Sequence, residues 1–314
     1  LKKCFKNIIL LFFFFSYSIF CLADRLIIEP DEGRAPILTA IAHSKSSLDL
    51  ALYGLTDTNL IQALIQAKKR GKLVRILLEP QPYQAIHENT PAIQFLQNAH
   101  IALHWPNPKF KFLHQKTFLF DNTSALVMTF NLTHSSFKNE RNFALFITHP
   151  DQIKEIQEVF DADWKQQQAK VKNPNLVWSP NNSRKKIVDF IQQARSEIKI
   201  YAQNISDPQI IEALAKAAQA KVKVEVLISS PPTKNCLHYL TQAGVIIHIS
   251  HGYLIHAKVI LVDEKKAVLG SINLTRTSLD DNRELSVITD DKKIVHTLLD
   301  TFKQDSMALV GFMQ

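Results

Sequence analysis

The sequence is poor in cysteine: 314 residues hold three, Cys4, Cys21 and Cys236. The first two fall in the leader described below. A single remaining thiol can neither close an internal disulfide nor build a cysteine-rich metal site, so stability must come from a packed core. Long hydrophobic runs are equally scarce. The one uncharged stretch of note, residues 8–20, has thirteen residues, short of the roughly 20 that a spanning helix needs.

The leader has a pattern of its own. Lys2, Lys3 and Lys6 make a positive start, the apolar run follows, and Cys21-Leu22-Ala23 ends in a small residue ahead of Asp24. That order is expected of a signal peptide, residues 1–23, cleaved after Ala23. The chain would then be secreted or periplasmic; an uncleaved membrane anchor is the competing reading. Ile19 and Phe20 are large where a lipoprotein signal wants small residues before Cys21. Cleavage removes three lysines and no acid, so the net charge falls from +8 to +5. A basic balance admits nucleic acid, an anionic membrane surface or a phosphorylated small molecule as partner, and selects none of them.

With 46% hydrophobic and 21% charged residues, the rest has ordinary globular composition, and length for one large domain or two smaller ones. It is written twice. A shift of 150 positions aligns residues 26–82 with 176–232 without a gap: Pro30, Arg34, Ile37 and Asp57 fall on Pro180, Arg184, Ile187 and Asp207. Each copy alternates helical and strand patterns. Helices are predicted over 37–45, 59–70, 187–195 and 209–220, and strands over 47–53, 73–78, 197–201 and 222–228. The first copy has eight further residues within 81–109, a loop expected to shape a substrate entrance. The polar stretch 165–183 reads as the connection, giving halves 24–164 and 165–314. The predicted class is α/β, two pseudo-symmetric repeats meeting across an internal twofold axis.

Beyond the extra residues the shift becomes 142. LHQKTFLFD, residues 113–121, then matches IHAKVILVD, residues 255–263. On a strand, positions i and i+2 share a face, so His114 stands with Lys116 and His256 with Lys258. The surrounding runs, 112–120 and 254–262, are mostly apolar. Hairpins return through 124–130 and 267–272 to Asn131 and Asn273. Each asparagine opens Asn-Leu-Thr, read as a helix start whose free N–H groups favour an anion. Two histidines, two lysines and two asparagines converging near the axis would hold one phosphate. Asp121 and Asp263 lie at odd spacing from the histidines and read as structural supports at strand ends.

This pattern resembles the signature of the phospholipase D superfamily, H-x-K-x4-D followed by G-[GS]-x-N-x-[ST]. His114, Lys116, Asp121, Asn131 and Thr133 match in the first copy; His256, Lys258, Asp263, Gly270, Ser271, Asn273 and Thr275 match in the second. Met128-Thr129 departs from the Gly-Gly or Gly-Ser pair. Thr129 keeps a hydroxyl opposite Ser271, while Met128 is expected to narrow the first half of the pocket.

The resemblance implies α-β-α repeats with the active site at their interface, and a phosphodiesterase needing no metal or cofactor. One imidazole attacks phosphorus to form a phosphohistidine; the other protonates the departing alcohol, then activates water or a second alcohol. The family motif makes His114, Lys116, Asn131, Asp121, His256, Lys258, Asn273, Asp263 and Glu284 the catalytic set. Lys116, Lys258, Asn131, Asn273, Ser271 and Thr129 would bind phosphate oxygens. Twenty-eight residues after each histidine the family places a carboxylate that orients an imidazole: Glu284 in Asn282-Arg283-Glu284, but Asn142 in Glu140-Arg141-Asn142. His256, backed by Glu284, is therefore expected to be the charged general acid, and neutral His114 the nucleophile.

The leader, the tandem form and the apolar residues Trp105, Phe110 and Phe112 beside the first motif favour a secreted phospholipase D. It would release the head group of a phosphatidylcholine-type lipid and leave phosphatidate. A metal-independent endonuclease of the same superfamily would use the same residues and suit the basic charge. An inactive phosphate- or lipid-binding protein is a third reading, against which both intact His-x-Lys pairs weigh. A monomer is expected, because the tandem copies already supply both halves of the site.

Overall fold

The computed structural model describes residues 24–85 and 87–307; the expected leader, 1–23, lies outside them. The first half runs β1 (Arg25–Glu29), α1 (Ala35–His43), β2 (Ser47–Leu52), α2 (Thr58–Lys69), β3 (Leu73–Leu78), α3 (Thr90–Asn98) and β4 (Ala102–His104). It continues with β5 (Lys116–Phe120), β6 (Ser124–Met128), β7 (Glu140–Ile147) and α4 (Pro150–Trp164). The second half repeats this order as β8 (Leu176–Ser179), α5 (Ser183–Gln192), β9 (Glu197–Tyr201), α6 (Pro208–Gln219), β10 (Lys223–Ile228), α7 (Lys234–Gln242) and β11 (Ile246–Ile249). Then come β12 (Leu254–Ile255), β13 (Val259–Val262), β14 (Lys266–Gly270), α8 (Arg276–Asp280), β15 (Glu284–Thr289) and α9 (Lys292–Met307).

Equivalent residues do equivalent work in the two copies. Asp57 and Asp207 cap α2 and α6, each accepting from the N–H groups two and three residues on; such caps satisfy donors that a helix start leaves free. Each capping carboxylate is also gripped by the aligned arginine, Arg34 at 2.5 Å and Arg184 at 2.7 Å. The predicted first helices begin up to four residues earlier than the apolar spacing suggested, at Ala35 and Ser183.

Strand order is β1-β7-β6-β5-β2-β3-β4 in the first sheet and β11-β10-β9-β13-β14-β15-β8 in the second. Three cores result. One fills the space between the first sheet and α1, α2 and α3, and another is its counterpart under α5, α6 and α7. The third is shared. The inner faces of both sheets bury Leu145, Trp178, Tyr201 and Leu285 together with Phe160 of α4 and Phe302 of α9. The halves thus meet through a continuous apolar layer, and apolar burial at about 25 cal/mol per Å² makes such a layer hard to separate.

The chain also crosses between the sheets. The runs expected as single strands, 112–120 and 254–262, are each interrupted at the histidine. β12 pairs in parallel with β7 of the first sheet, whereas β13 belongs to the second. On the other side Leu113 bridges Arg283, at the start of β15, before β5 enters the first sheet. Each histidine sits where the backbone leaves one sheet for the other. Among the described residues no helix is long and apolar enough to cross a membrane.

Eleven residues separate β3 from α3, against five between β10 and α7, so most of the extra length of the first copy lies there. That loop carries Tyr83, whose ring packs 6.2 Å from Phe112.

Candidate active site

The two crossings bring both His-x-Lys pairs to the seam between the halves. His114 and His256 are close enough that the charge of each half acts on the histidine of the other: Lys258 lowers the pKa of His114, and Lys116 and His114 lower that of His256. Burial is the larger cause for both rings. It pushes His114 down to about 4 and His256 well below the usual histidine range, because a low-dielectric surround disfavours the charged imidazolium. Lys116 is pushed down to about 7 by burial, against the pull of Glu284, and Lys258 falls well below the lysine range. Four basic groups crowd one buried spot. A bound phosphodiester anion would restore charge to each of them.

The carboxylate expected behind His256 faces His114 instead. Glu284 Oε2 lies 2.8 Å from His114 Nδ1, because β15 starts beside residues 112–114 of the opposite half. Glu284 is wholly buried. Its Oε1 accepts from Asn282 Nδ2 at 3.0 Å and from the Ser278 hydroxyl, and its pKa is held below the usual carboxylate range by His114 and Lys116, against the cost of burial. Spacing along the chain had suggested a partner in the same copy. The sheet crossing delivers it to the other. His256 Nδ1 meets Asn142 Oδ1 at 3.2 Å, the same exchange seen from the opposite side.

The Oδ1 atoms of Asn131 and Asn273 are buried and have no hydrogen-bond partner among the described residues. Gly54 packs against Asn131; a Cβ there would come within 3.1 Å of the Asn131 side chain. The expected helix starts after the asparagines are single turns, Ser135–Phe137 and α8.

Two hydroxyls assigned to phosphate binding point elsewhere. Thr129 and Ser271 are fully buried. The Thr129 hydroxyl donates to Asn142 Oδ1 and accepts from the Phe143 N–H. The Ser271 hydroxyl donates to the Leu285 carbonyl and accepts from its N–H. They lock β7 and β15 in place. Met128, expected to narrow the pocket, instead packs into the outer core of the first half. Its counterpart Gly270 meets a different demand, since a Cβ there would fall 2.3 Å from the Leu285 carbonyl oxygen.

Asp121 and Asp263 lie away from the seam, past the far ends of β5 and β13. Asp121 accepts from the N–H groups of Lys45, Ser46 and Ser47, and Asp263 from those of Arg195, Ser196 and Glu197. Each ties the helix-to-strand turn of its own half to the hairpin.

Other residues at the seam escaped the motif. The Tyr53 ring lies 4.6 Å from the His114 ring, edge to face, and Lys116 Nζ sits 5.0 Å over it. Phe112 packs 6.2 Å from Tyr53, and exposed Tyr83 beyond it continues an aromatic rim on the His114 side. Glu79 Oε2 accepts the Leu113 N–H at 2.8 Å, and its counterpart Ser229 Oγ accepts the Ile255 N–H at 2.5 Å. Both hold the backbone one residue ahead of a histidine. A glutamate closing the apolar run of β3 was the available signal.

The family model described as "Cardiolipin synthase, PLD-like domain" matches residues 37–164 and 187–306. "Cardiolipin synthase 2" of Bacillus anthracis is 24% identical over 328 residues, covering 90% of this chain and 64% of that protein. "Phospholipase D" of Rickettsia bellii is 32% identical over 124 residues, 38% of this chain and 62% of that protein. The chain thus spans under two thirds of the length of these curated relatives. Among solved structures, phosphatidylserine synthase of Haemophilus influenzae superposes with a TM-score of 0.67 at 14% identity, covering 90% of this chain and 85% of that one. Polyphosphate kinase of Porphyromonas gingivalis superposes at 0.73 and 17%, covering 89% of this chain and 50% of that one; at such identities the likeness is one of fold. A doubled family match over most of the chain, on two α/β repeats whose His-x-Lys pairs share one seam, makes this chain a member of the phospholipase D superfamily.

Proposed function

We propose that the protein is an exported phosphodiesterase acting on the head-group phosphodiester of a phospholipid through a covalent phosphohistidine. The observation that carries the chemistry is the Glu284–His114 contact, made across the seam at 2.8 Å. Glu284 holds the Nδ1 proton, so Nε2 of the neutral ring presents its lone pair. The same carboxylate then stabilises the positive phosphoimidazolium that forms on attack. His114 remains the nucleophile on this argument, although the carboxylate stands on the opposite ring from the one expected.

In the first step Nε2 of His114 bonds to phosphorus, and the bond from phosphorus to the head-group oxygen breaks. His256, protonated once the phosphate anion offsets Lys116 and Lys258, gives its proton to that oxygen. In the second step a water or alcohol oxygen attacks phosphorus and the P–N bond breaks. His256 takes the incoming proton and is ready to donate again. Lys116, Lys258, Asn131 and Asn273 face the phosphate oxygens, where charge accumulates.

For the lipid, the support is the rim of Tyr53, Phe112 and Tyr83 beside His114, together with relatives named for cardiolipin synthesis and phospholipase D. Export rests on the lysine-led apolar leader ending at Ala23. The test offers purified protein phosphatidylcholine or phosphatidylglycerol vesicles and single-stranded DNA in parallel, with chelator present. Phosphatidate or cardiolipin should form, and added glycerol, as a competing acceptor alcohol, should divert the phosphatidyl group to phosphatidylglycerol at the expense of both. Cleavage of DNA with neither lipid consumed would overturn the lipid assignment.

A further inference from the structure

The triplet that opens β7 and the one that leads into β15 hold the same residue types in opposite order, Glu140-Arg141-Asn142 and Asn282-Arg283-Glu284. The outer members of each triplet touch, Asn142 with Glu140 and Asn282 with Glu284, and each pair serves the histidine of the other half. Around His114 the carboxylate comes first: Glu284 touches Nδ1, and Asn282 donates to Glu284 from behind. Around His256 the amide comes first. Asn142 Oδ1 meets Nδ1 at 3.2 Å, and Asn142 Nδ2 donates to Glu140 Oε2 at 2.9 Å. The supporting serine follows the carboxylate: Ser278 donates to Glu284, and its counterpart Ser136 donates to Glu140 at 3.0 Å.

Glu140 is 7% exposed, and its Oε2 lies 3.8 Å from His256 Nδ1. A carboxylate that deep costs several kcal/mol unless it answers a charge. The charged and titratable groups acting on His256 are Lys258 on its own run and Lys116 and His114 from the first half, all of which disfavour its protonation. Glu140 Oε2 stands within ion-pair distance of the ring, and Glu140 raises the pKa of Lys258. The Asn142 amide is held in one orientation by the Thr129 hydroxyl on its oxygen and Glu140 on its nitrogen. That orientation presents the amide oxygen to His256 Nδ1, which Lys258 Nζ also approaches at 3.2 Å.

We propose that Glu140 is the positioning carboxylate of His256, acting through the Asn142 amide, and that the reversed order of carboxylate and amide makes the two histidines chemically unequal. His114, on a carboxylate, is built to carry a lasting positive phosphoimidazolium. His256, on an amide with its carboxylate one residue removed, holds a proton loosely enough to deliver it. The role of His256 as acid rests on the function proposed above; the pairing with Glu140 does not.

The test reads the pairing without turnover, by NMR titration of the imidazole nitrogens of the full chain labelled with 15N-histidine. His256→Asn assigns the resonance. Glu140→Gln should lower the His256 midpoint, by about one pH unit or less for a charge acting at this range. The exchange Glu140→Asn with Asn142→Glu, which rebuilds the His114 arrangement, should raise it. Where either variant fails to fold, the other decides. Midpoints unchanged, or moved the same way in both, would overturn the proposal. With an active substrate in hand, the alkaline limb of kcat/KM should move in the same directions, a response that a purely architectural Glu140 would not give. Absence of lipid turnover with the titration shifts intact would count against the function and leave the pairing standing.

Discussion

Replacing Glu284 by glutamine probes the seam directly, because it changes one charge and almost no volume. The carboxylate is wholly buried and already satisfied on Oε1 by Ser278 and Asn282, so it cannot swing away to another partner. What the substitution removes is the charge-assisted bond from His114 Nδ1. Such a bond contributes about 1.5–3 kcal/mol. That interaction strengthens as the ring becomes positive on phosphorylation, so most of the loss falls on kcat: a decrease of roughly 10- to 100-fold at about 1.4 kcal/mol per decade. KM should change little. The pH profile separates this reasoning from the alternative placement of Glu284. His114 must be neutral to attack, so activity rises with pH through its pKa, near 4. Glu284 raises that pKa against desolvation, hence its loss moves the acid limb to still lower pH. The alkaline limb, governed by His256, should stay in place. Steady-state kinetics on vesicles between pH 3.5 and 9 measure both limbs, with thermal unfolding as a fold control. A kcat within twofold of wild type, or a moved alkaline limb with a fixed acid limb, would refute the argument.

Turnover quenched in alkali should leave a phosphatidyl adduct on His114 in the wild type and none in His114→Asn, as read by mass spectrometry; an adduct on His256 of the wild type would reverse the roles. Asp121, which burial raises but the N–H groups of Ser46, Ser47 and Lys45 together lower to about 2, contributes stability that is complete above its unfolded value near 4 and lost as pH falls toward 2. Its partly solvated setting discounts the effect, so Asp121→Ala should cost roughly 1–2 kcal/mol at pH 7, shrinking toward pH 2 in urea unfolding; an equal cost at both pH values would contradict this. Glu29 behaves oppositely, since burial pushes it up to about 8. The folded state keeps the proton that the unfolded chain loses near pH 4.5, so stability falls as pH rises from 4.5 to 8. Glu29→Gln should therefore melt above wild type at pH 9 and near it at pH 4, and a constant offset across that range would sink the assignment.

The sequence alone was enough for whatever is local or periodic. The gapless register of residues 26–82 on 176–232 required two copies of one αβ unit, since the same spacing of apolar residues, aspartate caps and prolines must fold the same way twice. Asp57 and Asp207 cap their helices by contacts two and three residues away, and such contacts are written in order along the chain. The doubled His-x-Lys pairs are legible for the same reason, as are Asn131 and Asn273.

Whatever depends on which strand lies beside which was decided by the tertiary structure. The apolar runs at 112–120 and 254–262 look like continuous strands, yet each is divided between two sheets at its histidine, and no spacing within either run encodes that. The crossing sends Glu284 to His114 and Asn142 to His256, the reverse of the pairing that proximity in sequence suggests. It also turns the Thr129 and Ser271 hydroxyls onto β7 and β15, because once the hairpin is packed those neighbouring N–H and C=O groups are the nearest partners available to a buried hydroxyl. Residue types and spacing are properties of one segment; the acid that meets a given imidazole is a property of two segments brought together by a shared core.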